Sequence, residues 1–577
     1  MESHKKAGDR GEWASKTEYF LVVAGHVVGL GNVWRFPYFC YKNGGGAFLV
    51  PYGLFAVVLG VPMFLFETSI GQYTQEGFVT CWRKLCPLAV GIGCGLLVMK
   101  CYDFSYIIIE VWALFYLVFS FRAQIPWATC NNTWNTANCL DLQGLDSPSV
   151  NLTVNRMMLK NTTSAAVEFW ERRMLGMSGG IEELGSVRWE LALCLLVAWT
   201  FCYFCIWKGV RSSGKVAYFT ATFPYVMLLI LLIRGLTLPG AWDGIYYYMY
   251  PDVNRLADLE VWIDAGSQII FSYSLTAGTL IVLSSYNESN NNCYRDCFWF
   301  CLLNSGTSFV AGFVVFSVLG FMAQIQGVSV DSVVQSGPGL AFIAYPQATA
   351  LIPLPQFWTI CFFLMLILLA VDSHFVAVEG FITTISDLFP KLFRGPRKHE
   401  IFVLIICTSS FLVHLTLVTE GGVYIFQLID FYGSTRVCQN VMAICECLVV
   451  AWIFGADRLS NIIADMTGQR PLVFFQLCWK YTIPLLSLIS FILYLLDYKR
   501  LMINDYVYPD WAYALGWTMT FSSIVMVPLC AVALMCLTPG TFKQRLSILC
   551  RPAEDPDWLR RKMDQEGTTV ELTSAAT

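Results

Sequence analysis

Charged residues are scarce in this sequence. Asp, Glu, Lys and Arg make up only 14% of its 577 residues, whereas 56% are apolar and 15% are aromatic. A soluble domain usually has about 25% charged residues, and a chain this apolar could not cover its surface in water. The composition therefore excludes an ordinary soluble protein and predicts a polytopic membrane protein.

Several functional classes also lack their usual signals. The net charge of −4 argues against a nucleic-acid partner. The 22 cysteines are dispersed through apolar segments, without repeated CxxC pairs and histidines at zinc spacing. No combination of nucleophile, base and oxyanion donor indicates an enzyme, and no cofactor is expected. The polar N-terminus, MESHKKAGDR, contains no cleavable apolar signal region.

Apolar segments of membrane-spanning length occur twelve times, which predicts an all-α fold of twelve transmembrane helices. They lie at about 18–38, 46–70, 88–121, 191–207, 216–234, 261–285, 294–325, 354–389, 401–417, 422–454, 471–496 and 509–537. Basic residues recur in every second loop, so those loops and both termini are expected in the cytoplasm. The predicted organisation is a cytoplasmic N-terminus over 1–17, a helical domain over 18–537 and a cytoplasmic tail over 538–577.

The longest predicted external loop, 122–190, is polar. Cys130 and Cys139 lie in it, where an oxidising environment permits a disulfide. It also holds three N-glycosylation sequons, at Asn131, Asn151 and Asn161. This clustering agrees with the predicted topology.

The first helix contains a stretch that favours a break. Gly29-Leu30-Gly31-Asn32 interrupts an apolar helix, although Gly inside a helix costs about 1 kcal/mol relative to Ala. Broken backbone survives in a membrane only where protein encloses it or where it lines a cavity. The break therefore predicts a binding site near the membrane midplane, with N–H groups for an anion and carbonyls for a cation.

The sixth helix carries a weaker version of the same signal. From Gln268 to Gly278 an apolar run is interrupted by Ser, Thr and Gly. Such hydroxyls usually bond back to a carbonyl one turn earlier, so a continuous helix is the alternative to a second break.

The segment from Gly25 to Tyr52, GHVVGLGNVWRFPYFCYKNGGGAFLVPY, resembles the first helix of the sodium- and chloride-coupled neurotransmitter symporter family. The similarity continues through TCNNTWNTANC, IWKGVRSSGK, YFTATFPY, NSGTSFVAGF, QSGPGLAFIAYP and VTEGGVYIFQLID to about Ala531. It is strongest to the branch that handles GABA, taurine, betaine and creatine. The resemblance implies an inverted repeat of five plus five helices, with helices 1 and 6 broken, in the plasma membrane.

Two sodium sites are implied by the resemblance, and oxygen ligands suit this hard cation. Asp372 indicates a cation site independently of the family, because a carboxylate in an apolar helix usually has a cation nearby. The alternative is that Asp372 is a structural hydrogen-bond acceptor. The first site would use Val27, Asn32, Ser272 and Asn304, and the second Gly25, Val28, Leu369, Asp372 and Ser373.

The resemblance also implies a chloride site and a substrate pocket. Ser308 stands where chloride-independent relatives have a carboxylate, and Gly29 stands where the monoamine branch has Asp, so the substrate should bring its own anionic group. Tyr106 would meet that group, although an interfacial tyrosine is the alternative. The chloride set is Tyr52, Gln268, Ser272, Asn304 and Ser308; the substrate set is Gly29, Leu30, Gly31, Tyr106, Phe271 and Ser272.

Two pairs of charges resemble the family's gates. Arg35 with Asp430 would close the outside, and Arg10 with Asp387 the inside; ordinary surface charge is the alternative for the second pair. Trp13 and Tyr286 would assist the inner gate.

Some residues depart from the pattern of this branch without removing an ion ligand. The departures are His26, Asp103, Ser105, Glu110, Ala370, His374 and Arg436. The leading interpretation is a symporter for GABA or a related zwitterion such as taurine, betaine or β-alanine, with a non-transporting orphan or sensor of the same fold as the alternative. The expected partners are the zwitterion, sodium, chloride and the lipid membrane; a homo-oligomer is compatible with the sequence.

Overall fold

The computed structural model describes residues 12–140, 163–333, 340–395, 397–434, 437–503 and 506–552. Almost all of its regular structure is helical, as the composition predicts. The two small sheets have two strands each: Cys139–Leu140 runs parallel to Thr163–Ser164, and Met502–Ile503 runs antiparallel to Tyr506–Val507.

Nine helices of the described residues are long and apolar enough to cross a membrane. A tenth, helix 12, is a pair, Asp510–Ile524 and Met526–Leu537, bent by 43°. The nine are helix 2 (Gly46–Thr74), helix 3 (Pro87–Ser120), helix 4 (Trp189–Ile206), helix 5 (Ser212–Leu236), helix 7 (Cys293–Gln326), helix 8 (Pro355–Leu388), helix 9 (Lys398–Val418), helix 10 (Gly422–Thr467, which includes the undescribed 435–436) and helix 11 (Val473–Leu496).

The two remaining predicted spans, helices 1 and 6, are not among these helices because each is broken into two shorter helices. Helix 1 consists of Lys16–Val27 and Phe36–Lys42, joined through a wide helical turn at Gly31–Arg35. Helix 6 consists of Leu259–Ser272 and Thr279–Ser284. With these two, the count reaches the predicted twelve, and both predicted breaks are present.

Shorter helices lie between the spans, and one more follows the last span. They are Phe78–Leu85, Ala165–Glu168, Ala241–Met249, Tyr345–Ala350, Pro390–Phe393 and Phe542–Leu549. The apolar periodicity did not predict these, because a short amphipathic helix in a loop has too few turns to show a clear pattern.

Helices 3, 7, 8 and 10 are the most buried of the nine continuous spans, whereas helices 4, 5, 9 and 11 are the most exposed. In the most apolar 18-residue stretch of helix 8, 83% of the residues are buried, whereas the corresponding share in helix 11 is 22%. Close packing positions the second half of helix 6: a Cβ on Gly71 of helix 2 would lie 2.2 Å from the Ile281 carbonyl oxygen. Small residues permit such backbone approach between membrane helices, and here they hold the broken helices against the interior.

Candidate functional site

The break in helix 1 is closed by two side chains. The helix ends at Val27, and the Oδ1 atom of Asn32 accepts a hydrogen bond from the Gly29 amide at 3.0 Å. The Nε2 atom of Gln268, on helix 6, donates to the Gly31 carbonyl at 2.8 Å. Polar side chains therefore satisfy backbone groups that the helix leaves open, as buried broken backbone requires.

The break in helix 6 is tighter and is anchored to helix 2. Ser274, Thr276 and Gly278 have φ values of 53°, 52° and 71°, and this left-handed region is unfavourable for residues other than glycine. The Glu67 carboxylate accepts from the Thr276 amide at 2.6 Å. A carboxylate is a strong hydrogen-bond acceptor, so this contact with a backbone N–H helps to hold a backbone conformation that the local sequence does not favour.

Asn304 of helix 7 joins the two breaks. Its Nδ2 atom donates to the Ser272 carbonyl at 2.7 Å and to the Val27 carbonyl at 3.2 Å. Asn32 in turn donates to the Asn304 Oδ1 atom and to the Ser308 hydroxyl, both at 2.7 Å. The structure therefore brings the four residues predicted for the first sodium site into one buried network.

The residues predicted for chloride surround the same network. The Tyr52 hydroxyl lies 3.3 Å from the Ser305 hydroxyl and also interacts with Ser308. The Ser272 hydroxyl and the Gln268 Oε1 atom are buried and have no hydrogen-bond partner among the described residues. Ser305, which also lies 2.7 Å from the Tyr273 hydroxyl, was not predicted, because a lone serine on an apolar helix carries no distinguishing signal.

Asp372 lies against helix 1 as a buried, uncompensated carboxylate. It is 1% exposed, and neither of its oxygens has a hydrogen-bond partner in the described part of the chain. Thr220 is adjacent, but its hydroxyl donates to the Val216 carbonyl. A Cβ on Gly25 would lie 2.5 Å from an Asp372 oxygen, so only glycine permits this approach.

The remaining members of the predicted second sodium site are next to Asp372. The Ser373 hydroxyl lies 3.3 Å from both the His26 and the Leu369 carbonyl oxygens. Val28 caps the first half of helix 1, one residue after its end. A charged group this deeply buried is unfavourable without a counter-charge, and the surrounding oxygens are of the kind that bind small cations.

A cavity of about 140 Å³ opens at the helix breaks. Binding pockets for drug-sized molecules usually measure about 300–1,000 Å³, so this space suits a smaller solute. Its walls include all six residues predicted for the substrate, namely Gly29, Leu30, Gly31, Tyr106, Phe271 and Ser272. The rings of Tyr106 and Phe271 are 5.9 Å apart, and a Cβ on Gly29 would lie 2.4 Å from the Ser373 hydroxyl.

Ser105 is not among the residues that line the cavity, whereas five of the other unusual residues are. They are His26, Asp103, Glu110, Ala370 and His374, together with Lys100, which the sequence analysis did not single out. The signal was available, because a lysine inside an apolar span is rare and usually functional. Arg436 lies outside the described residues.

The predicted gate residues have defined contacts. Asp430 accepts a hydrogen bond from the Tyr106 hydroxyl, and the Arg35 guanidinium lies 4.1 Å from the Phe271 ring centre and donates to Ser267 at 3.2 Å. Each charged group therefore contacts an aromatic residue that lines the cavity.

Asp387, predicted for the inner gate, pairs with Arg394 and accepts a hydrogen bond from the Gly77 amide at 2.7 Å. The Trp13 and Tyr286 rings are 6.0 Å apart in an edge-on arrangement. Arg10 lies outside the described residues, so its predicted pairing with Asp387 stays a prediction.

The outer loop contains the expected disulfide. Cys130 and Cys139 are bonded, with their Cα atoms 5.8 Å apart, within the usual range. Asn131 is exposed, as a glycosylated residue must be. Asn151 and Asn161 lie outside the described residues, so all three sequons stay predictions.

Replacing Asn304 by Ala should destabilise the protein, because the buried Val27 and Ser272 carbonyls would both lose a donor. A buried group left without its hydrogen bond costs about 1–3 kcal/mol. We expect the melting temperature of the purified protein in detergent to fall by about 4 °C or more.

The matched control is Ser317→Ala, also buried on helix 7, whose hydroxyl bonds only to the Val314 carbonyl of its own helix. It should melt within about 2 °C of the unmodified protein. Equal melting temperatures for the two variants would contradict the joining role of Asn304.

Comparison with known proteins identifies the family. The model of the Sodium:neurotransmitter symporter family matches residues 10–538. A sodium- and chloride-dependent taurine transporter from Homo sapiens is 51% identical over 570 residues, which cover 98% of this chain and 91% of that protein. A sodium- and chloride-dependent GABA transporter 2 from Rattus norvegicus is 50% identical over 571 residues, 99% of this chain and 92% of that protein. The chain therefore belongs to the sodium:neurotransmitter symporter family.

Proposed function

We propose that this protein is a plasma-membrane symporter that uses sodium and chloride to import GABA, taurine or a closely related small zwitterion such as betaine or β-alanine. The observation that carries the proposal is the Asn304 network, because it joins Val27 and Ser272, two residues that line the cavity at the helix breaks. Two relatives of about half identical sequence, a taurine transporter and a GABA transporter, support this class of substrate. A non-transporting protein of the same fold has no support from them.

The first sodium ion would lie between the Val27 and Ser272 carbonyls, where the Asn304 amide hydrogens now point. The two ends of an asparagine amide exchange places when the group turns over. Turning Asn304 over would direct its oxygen to the same point, so that three oxygens surround an entering cation.

The second sodium ion would neutralise Asp372. Its other ligands would be the Ser373 hydroxyl and the carbonyls of Gly25, Val28 and Leu369. The absence of a side chain on Gly25 supports this assignment, since any Cβ there would meet the Asp372 carboxylate.

Chloride would bind among Tyr52, Gln268, Ser272, Asn304 and Ser308. The Ser308 hydroxyl accepts a hydrogen bond from Asn32, which leaves its own proton to donate to an anion. Electrostatics favours an anion here, because at an effective dielectric of about 20 two unit charges about 4 Å apart interact by about 4 kcal/mol. Chloride would offset the positive charge that sodium brings into the cavity.

The substrate would couple its own binding to sodium through its anionic group. Gly29 supplies no carboxylate, so a carboxylate or sulfonate could approach the Leu30 and Gly31 amides and complete the first sodium shell. That anion would also compete with Asp430 for the Tyr106 hydroxyl. Without the Tyr106 hydroxyl as a partner, Asp430 would interact more strongly with Arg35, and substrate binding would thereby stabilise the closed outer gate.

We also propose that both termini are cytoplasmic and that Arg10, with Trp13 and Tyr286, closes the inner side against Asp387. The contact of Trp13 with Tyr286 supports this arrangement. Because Asp387 pairs with Arg394, an incoming Arg10 would share this carboxylate.

Uptake should require both sodium and Asp372. In cells that express the full chain, replacing external sodium by N-methylglucamine should abolish uptake of radiolabelled taurine, GABA, betaine and β-alanine. Asp372→Asn should also abolish uptake at matched surface abundance, because a neutral amide cannot balance a dehydrated cation.

Glu379→Gln is the matched control, since Glu379 is another buried carboxyl of helix 8 and lies outside the cavity. It should keep most of the uptake. Sodium-independent uptake would overturn the proposed coupling, and normal uptake by Asp372→Asn would overturn the second sodium site alone.

A fixed carboxylate should replace chloride. Ser308→Glu is expected to make the remaining uptake independent of chloride while it still needs sodium, because the new charge offsets the cations. The measurement is uptake with gluconate in place of chloride, with Ser317→Ala as the control on the same helix. If an active Ser308→Glu protein still needs chloride, the site is assigned wrongly.

A further inference from the structure

One face of helix 3 carries several charges into the substrate cavity. Lys100, Asp103, Tyr106 and Glu110 follow one another at intervals of three or four residues, and all four line the cavity. This spacing places side chains on one face of a helix. The cavity wall therefore presents a row of polar groups along helix 3.

Two of these charges compensate each other. Lys100 is 3% exposed, and its Nζ atom lies 3.1 Å from the Asp103 carboxylate. A buried pair of this kind is stable only while both partners remain, because the loss of one leaves an uncompensated charge. Lys100 and Asp103 thus contribute little net charge to the cavity.

Glu110 has no such partner. It is 3% exposed, and no cation or hydrogen-bond donor among the described residues contacts its carboxylate. His374 also lines the cavity, but neither of its nitrogens lies within 4.0 Å of Glu110. Its ring is instead packed 4.9 Å from the Trp199 ring. An ionised carboxylate in this position needs a positive charge that the described protein does not supply.

We propose that Glu110 binds the cationic group of the transported zwitterion and so helps to select the substrate. This inference rests on the proposed function and adds a residue for the positive end of the substrate. Gly29 and the helix breaks would take the negative end near Tyr106. Glu110 would take the positive end one helical turn further along.

The positions on helix 3 also restrict the length of the substrate. Four residues along an α-helix correspond to about 6 Å. An α-amino acid has one carbon between its charged groups, whereas taurine and β-alanine have two and GABA has three. If the anionic group of the substrate binds near Tyr106 and its cationic group binds at Glu110, the site favours the longer molecules over α-amino acids.

Uptake kinetics of charge-altered variants test the proposal. In cells that express the full chain, Glu110→Gln should raise the KM for the transported zwitterion at least tenfold at matched surface abundance, while uptake remains sodium-dependent. Glu110→Asp keeps the charge and should raise the KM less than Glu110→Gln does. Glu379→Gln removes a buried carboxyl outside the cavity and should leave the KM within twofold.

An unchanged KM in Glu110→Gln, or an equal rise in Glu379→Gln, would overturn the role of Glu110 while the symport of the unmodified protein stands. If the unmodified chain shows no ion-dependent uptake, the proposed function itself fails. A competition assay on the unmodified protein tests the same inference without variants, and so does not depend on whether the variants reach the cell surface. Valerate for GABA, or propane-1-sulfonate for taurine, lacks the cation and should inhibit at least tenfold more weakly than the substrate; equal inhibition would overturn the inference.

Discussion

The hydrogen bonds of Asn304 hold the centre of this molecule together. One amide group contacts the end of the first half of helix 1 at Val27 and the end of the first half of helix 6 at Ser272. Where each helix stops, a backbone carbonyl loses its helical hydrogen bond, and the lipid interior offers no water to replace it. Neither break is therefore stable unless other parts of the protein surround it and bond to that carbonyl. Everything proposed about ions and substrate depends on these two ends remaining side by side.

The buried charges divide into two groups with different consequences. Lys100 with Asp103 and Arg394 with Asp387 are compensated within the protein. Asp372 and Glu110 have no such compensation among the described residues, and neither do Glu379 and Glu446, which do not line the cavity. An isolated charge in a low-dielectric interior is unfavourable, and Asp372 beside Gly25 and Glu110 in the cavity wall are the members of the second group that a cation from outside would meet at the helix breaks. One lies at the proposed second sodium site and the other faces the cavity.

Much of the fold followed from the sequence because hydrophobic length and glycine content are local properties. The twelve spans and the break at Gly29–Asn32 were predictable in this way, and family membership confirms the symporter class, the all-α fold and the absence of enzymatic function. The partners of Asn304 were not predictable from spacing, because they lie on distant helices. Ser305 was missed for a related reason, since its importance appears only when helix packing brings its neighbours together. Lys100 did carry a sequence signal, as a lysine inside an apolar span, and could have been predicted.

The central claim is that the helix breaks form one site in which sodium and the zwitterion share ligands. It is tested most directly by measuring substrate binding to the purified protein at a series of sodium concentrations, and sodium binding with and without saturating substrate. Shared ligands predict that sodium lowers the apparent Kd for the zwitterion and that the zwitterion lowers the apparent Kd for sodium by the same factor. A substrate affinity that does not change with sodium would contradict the account.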